Sequence, residues 1–108
     1  MEQLTIIEKD GANYHLYELE CSLNAYTLGE FQNTLYEAVH KNNIVLDMSK
    51  LVELDPTGVG FLMAAFNESE DVGNRLYFMS MSSESEKAIS ATGFKSLFNI
   101  INSVTEVA

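Results

Sequence analysis

The run Ile44-Val45-Leu46-Asp47-Met48 constrains this chain more than any other segment. It is short, rich in branched residues and does not alternate between polar and apolar. That pattern fits a strand covered on both faces, as in a parallel sheet. Parallel neighbours need crossover connections, and helices supply them. The flanks agree. Before the run, Leu28, Phe31, Leu35 and Val39 recur at three- and four-residue steps, one apolar stripe of a helix. After it, Thr57 to about Asp71 reads as a second helix, with Val59, Leu62, Met63 and Phe66 on one face.

The remaining pieces complete an alternating pattern. Leu4 to Ile7 reads as a strand, and Asp10-Gly11 turns it into a second strand over Tyr14 to Glu20. Arg75 to Met81 and Phe98 to Ile101 read as two more strands. Thr27 with Glu30, Ser83 with Glu86, and Ser103 with Glu106 have capping-box spacing, which predicts helix starts at each. Gly93 is a plausible helix stop. The order is ββαβαβαβα. It predicts a single α/β domain over 1–108, with a mostly parallel sheet of about five strands, an antiparallel N-terminal pair and about four helices. A chain of 108 residues fits one such core.

Charge narrows the function. Sixteen acidic residues against six basic ones give a net charge of -10. Such a surface repels phosphates and anionic lipid heads, so neither nucleic acid nor a membrane surface is an expected partner. A basic protein is. The single cysteine, Cys21, has no internal disulfide partner, which points to a reducing compartment. No apolar run reaches the roughly 20 residues that span a bilayer. No signal peptide is visible at Met1-Glu2-Gln3-Leu4. The expectation is a cytoplasmic protein.

The segment Asp55-Pro56-Thr57-Gly58-Val59-Gly60 carries the chemistry. Pro56 fixes its own φ and biases Asp55 to an extended conformation. Thr57 then sits where the second helix begins. Its hydroxyl can serve as an N-cap, as a modification site, or as both. On the helical wheel it lies opposite the sheet-facing stripe, with Phe61, Ala64 and Glu68, so an exposed aromatic is expected beside it. The two glycines have neither the spacing nor the lysine of a phosphate-binding loop.

These residues, together with three other stretches, resemble the STAS domain family, and within it the bacterial anti-sigma-factor antagonists. Leu23-Asn24-Ala25-Tyr26-Thr27 is similar to the segment before the family's first helix. Ile44 to Ser49 is similar to its central strand, and Phe98 to Ala108 to its closing strand and helix. Asp55-Pro56-Thr57-Gly58 looks like its phosphorylation loop, with Pro56 where a serine is commoner. Asn24 stands where many members have Asp. The resemblance implies phosphorylation at Thr57 and a partner surface containing Asn24, Asp55, Pro56, Thr57, Gly58, Phe61, Ala64 and Glu68. It implies two protein partners: a kinase-type anti-sigma factor that binds the unphosphorylated form and thereby frees the sigma factor, and a metal-dependent Ser/Thr phosphatase that acts on the phosphorylated form. The other role it allows is a STAS interaction module outside sigma control, in a sensory-complex scaffold or as a transporter accessory subunit.

Catalysis by the chain itself is not expected. His15, His40, Cys21, Asp47 and Asp55 show no catalytic order and no metal-ligand spacing. No cofactor is implied. Asp47 ends a central strand like a phosphoacceptor aspartate, but the first strand runs into a hairpin turn, Glu8-Lys9-Asp10-Gly11, rather than the acidic pair such a site needs.

Overall fold

The computed structural model describes residues 3–107. Met1, Glu2 and Ala108, which the expected domain includes, lie outside the described residues. Five strands form one sheet in the order β1-β2-β3-β4-β5. They are β1 (Leu4–Asp10), β2 (His15–Leu23), β3 (Ile44–Leu54), β4 (Leu76–Met79) and β5 (Asn99–Ile101). β1 pairs antiparallel with β2, and every later pairing is parallel. Helices α1 (Gly29–Val39), α2 (Pro56–Asp71) and α3 (Ser83–Ser90) make the crossovers. Each joins adjacent strands in sequence order, and crossovers are right-handed, so all three helices fall on one face.

The core follows from that layout. Leu46 and Met48 of β3 point toward the helices, where they join Phe31, Leu35, Leu62 and Phe78 in the main cluster. Val45 points the other way, into a smaller cluster with Leu16, Tyr77 and Ile101. β3 is thus buried on both faces, as its composition predicts. Val104 and Val107 of the closing segment pack against the smaller cluster. The expected fourth helix is a single 3-10 turn, Val104–Glu106, started by the Ser103–Glu106 capping box.

The other two capping boxes are not used. Thr27 accepts a hydrogen bond from Asn24 N–H at 3.0 Å and donates to the Ser22 carbonyl at 3.0 Å, so its hydroxyl braces the loop before α1. The N-cap of α1 is Leu28, with no side-chain cap. α3 starts one residue earlier than expected. Ser82 caps it, accepting from Ser85 N–H at 3.2 Å and donating to the Leu51 carbonyl at 2.6 Å. The adjacent serines Ser82 and Ser83 made that start ambiguous, and the bond to β3 selects Ser82.

Candidate functional site

Thr57 lies at the second position of α2, on the surface. It is not the cap. Asp55 is, with extended backbone (φ -87°, ψ 172°), and its Oδ1 accepts the Gly58 N–H at 2.7 Å. Pro56 occupies the first helical position, where a missing N–H costs nothing. The Asp55 N–H goes to the Leu23 carbonyl at 3.3 Å. None of these bonds claims the Thr57 N–H. The Thr57 hydroxyl is therefore spared capping duty, beside a backbone donor at the positive end of a 16-residue helix.

Two loops hold this position. Asn24, 2% exposed, accepts the Tyr26 N–H at 2.9 Å and donates through Nδ2 to Glu53 Oε1 at 2.8 Å. Asp55 Oδ2 accepts the Ala25 N–H at 3.3 Å. The loop before α1 and the loop before α2 are thus one hydrogen-bonded unit. Gly58 completes it. A Cβ there would lie 2.5 Å from the Leu23 carbonyl oxygen, so only glycine lets the first turn of α2 approach so closely.

The structure sorts the expected partner-surface residues. Asn24, Asp55, Pro56, Thr57 and Gly58 come together. Pro56, Thr57 and Ala64 are exposed. Phe61 is a correction: it is 5% exposed and belongs to the main core. Its ring lies edge-on to Phe31 and Tyr36, each at 5.8 Å. The helical wheel allowed α2 one buried face, but α1 packs against its flank and buries a second. Glu68 lies about three turns beyond Thr57 along α2, where it bonds His40 Nε2 at 2.7 Å at the end of α1. It stands apart from the Thr57 loop.

Sequence reasoning missed Tyr26 and Val52, which are 87% and 67% exposed and adjoin, in the chain, the Ala25 and Glu53 that Asp55 and Asn24 hold. Val52 is held out by irregular pairing. Cys21 pairs with Leu51 and Ser22 with Glu53, which leaves Val52 as the extra residue of a β-bulge. Cys21 has φ 79°, strained for a residue with a Cβ. A second irregularity lies between the Glu18–Asp47 and Glu20–Lys50 pairs, where Asp47 Oδ1 accepts the Ser49 N–H at 3.0 Å. Asp47 has a structural partner there. Among the described residues no group of three or more His, Cys, Asp or Glu side chains is arranged to hold a metal, and no helix is long and apolar enough to cross a membrane.

The family model for the STAS domain matches residues 3–107. The chain belongs to the STAS domain family. No curated protein sequence matches it directly. Solved structures do. A candidate anti-sigma factor antagonist from Thermotoga maritima superimposes with a TM-score of 0.83 at 16% identity, covering 94% of this chain and 89% of that one. An anti-sigma factor antagonist from Mycobacterium paratuberculosis gives 0.82 at 14% identity, covering 95% and 89%. The phosphorylated form of the Bacillus cell fate determinant SpoIIAA gives 0.74 at 16%, covering 94% of each chain. At these identities the likeness speaks for a shared STAS fold.

Proposed function

We propose that this STAS domain is an anti-sigma-factor antagonist whose binding to a kinase-type anti-sigma factor is switched off by phosphorylation of Thr57. The observation that carries this reading is the exposed Thr57, excused from capping by Asp55 and standing on a loop pair fixed by Asn24 and Asp55. The kinship with structures of anti-sigma factor antagonists, one of them phosphorylated, supports it.

The chemistry needs little from this chain beyond position. The Thr57 oxygen attacks the γ-phosphorus of a nucleoside triphosphate held by the kinase. The bond from that phosphorus to the β-phosphate oxygen breaks, and the hydroxyl proton passes to a base on the kinase. The products are phosphothreonine and nucleoside diphosphate. The Thr57 N–H and the helix dipole favour the new charge, so the domain need not refold.

Release follows from the same geometry. A kinase that phosphorylates Thr57 holds nucleotide phosphates against its oxygen. After transfer, a group carrying about -1.5 to -2 charges faces the diphosphate left behind. One pair of like unit charges about 5 Å apart costs about 3 kcal/mol at an effective dielectric near 20, roughly a hundredfold in affinity. Titration calorimetry against the purified kinase-type anti-sigma factor, with nucleotide present, tests this. Thr57→Ala should bind at least as tightly as the natural chain and stay unphosphorylated, while Thr57→Asp should bind at least tenfold more weakly. Equal affinities would remove the switch. Phosphate release from the modified chain by a metal-dependent Ser/Thr phosphatase tests the reset step.

A further inference from the structure

We infer that Tyr26 and Val52 are the apolar anchors of the partner surface around Thr57, and that the partner ringing them is basic. The inference rests on the reading of Thr57 above and adds the residues and chemistry of the contact.

Scattered exposed apolar residues are ordinary. These two are not scattered, because the backbone is built to present them. The Tyr26 N–H is held by the buried Asn24 side chain, which also grips Glu53, the neighbour of Val52. Val52 is ejected by a bulge whose partner strand contains the strained Cys21. Bulges re-aim side chains, and strained backbone persists where its surroundings over-determine it. One network thus fixes Tyr26, Val52 and Thr57 together, since Asp55 ties the same loops. A tyrosine exposed on a held backbone is a typical interface anchor because it carries apolar area and a polar tip at low entropic cost.

Charge selects the occupant. Glu53 adjoins Val52 in the chain, Asp55 holds the Ala25 N–H next to Tyr26, and Glu30 opens α1 four residues after Tyr26. The chain's cations are paired with its own carboxylates, Lys50 two residues before Val52 among them, or lie at a distance. Lys9 and Lys50 pair with Glu18, Lys87 with Glu84 and Lys95 with Glu86. Lys41 follows α1 and Arg75 precedes β4, at the opposite end of the sheet from α2's start. A second copy of this chain, or a nucleic acid, would bring like charge to like. A basic protein surface fits.

The test measures binding of the purified kinase-type anti-sigma factor by calorimetry at two salt concentrations, with thermal midpoints for every variant. Tyr26→Ala and Val52→Ala should each weaken binding about tenfold or more without lowering the midpoint appreciably. Glu30→Gln should weaken it severalfold at low salt and flatten its salt dependence. If Tyr26→Ala and Val52→Ala both bind like the natural chain, the inference is overturned while the Thr57 switch stands. If they weaken binding but Thr57→Asp does not, the surface stands and the switch falls. No binding by the natural chain overturns both. Self-association that Tyr26→Ala abolishes, read by sedimentation equilibrium, would name a second copy as occupant and overturn the basic partner.

Discussion

The two halves of β3 are built differently. From Ile44 to Asp47 it pairs with β2 on one side and β4 on the other, in unbroken register. From Met48 to Leu54 it pairs with β2 alone, through two irregularities. The first half is buried on both faces and anchors the core. The second half holds out Val52 and feeds directly into the Asp55 cap and Thr57. A regular ladder leaves each side chain a fixed face, so it can bury but not redirect. The bulged half gives up pairing and gains freedom to aim residues at solvent. In this fold, regularity holds the sheet together and irregularity shapes the surface.

The contrast breaks most visibly if a displayed residue such as Val52 proves as costly to lose as a core residue. Phe61, one turn below Thr57, is the largest expected effect. It is packed by Phe31 and Tyr36 and is 5% exposed. Phe61→Ala should destabilise the domain by about 3–5 kcal/mol in urea unfolding. Val52→Ala should stay within about 0.5 kcal/mol, as for exposed sites generally. Comparable losses in the two would erase the division between core and display.

The next effect sharpens the comparison at the joint between the halves. Gly58→Ala places a methyl group 2.5 Å from the Leu23 carbonyl oxygen and 2.9 Å from the Leu54 side chain. Leu54 can yield, but the backbone oxygen must move. A loss of about 1–3 kcal/mol is expected, as for overpacking. Hydrogen exchange should show it as faster exchange at Ala25 and Gly58, whose N–H groups Asp55 holds, with the Ile44–Asp47 ladder unchanged. Uniform acceleration across the sheet would mean that the two loops are not a separable unit.

How much of this was legible in the residues divides along the same line. The unbroken apolar run at Ile44 announced a doubly covered strand, and helical periodicity around it announced the crossovers. Those patterns report burial averaged over an element, which the regular parts obey. Thr27 and Ser83 show where such reading stops. A hydroxyl three residues before a glutamate has several backbone partners within reach, and tertiary contacts chose among them. Phe61 shows a second limit. A single helix wheel contains no neighbour, so it cannot know that α1 lies along the flank of α2. Val52 shows a third. Nothing in Ser49-Lys50-Leu51-Val52 marks a bulge, and the strained partner, Cys21, is not the glycine that would have signalled it. The place of Thr57, exposed at the start of α2, was legible because Asp55-Pro56-Thr57-Gly58 is local, although the cap belongs to Asp55.

The smallest effect lies at the regular end, where His15 faces Ile44. Its Nδ1 lies 2.5 Å from Asp10 Oδ1 and its Nε2 2.9 Å from Glu8 Oε1. A neutral imidazole has one N–H and cannot donate to both carboxylates, so the pair selects the imidazolium. Burial pulls the His15 pKa down, but the bonds to Glu8 and Asp10 outweigh it and the net shift is upward from 6.5. Tyr17 stacks edge-on at 4.8 Å, and Glu37 and Lys41 from the α1 side line the same hollow. Because the folded pKa is raised, the stabilisation is complete below the unfolded value of about 6.5 and disappears as pH rises through the folded one. Urea unfolding at steps between pH 5.5 and 8.5 should therefore show the natural chain losing stability relative to His15→Gln as pH rises. The loss should be confined to this end, with the Thr57 loops exchanging at the same intrinsic-corrected rate throughout. Parallel pH curves for the two proteins would show that His15 is not held as the cation, and would leave the hairpin without its charged clamp.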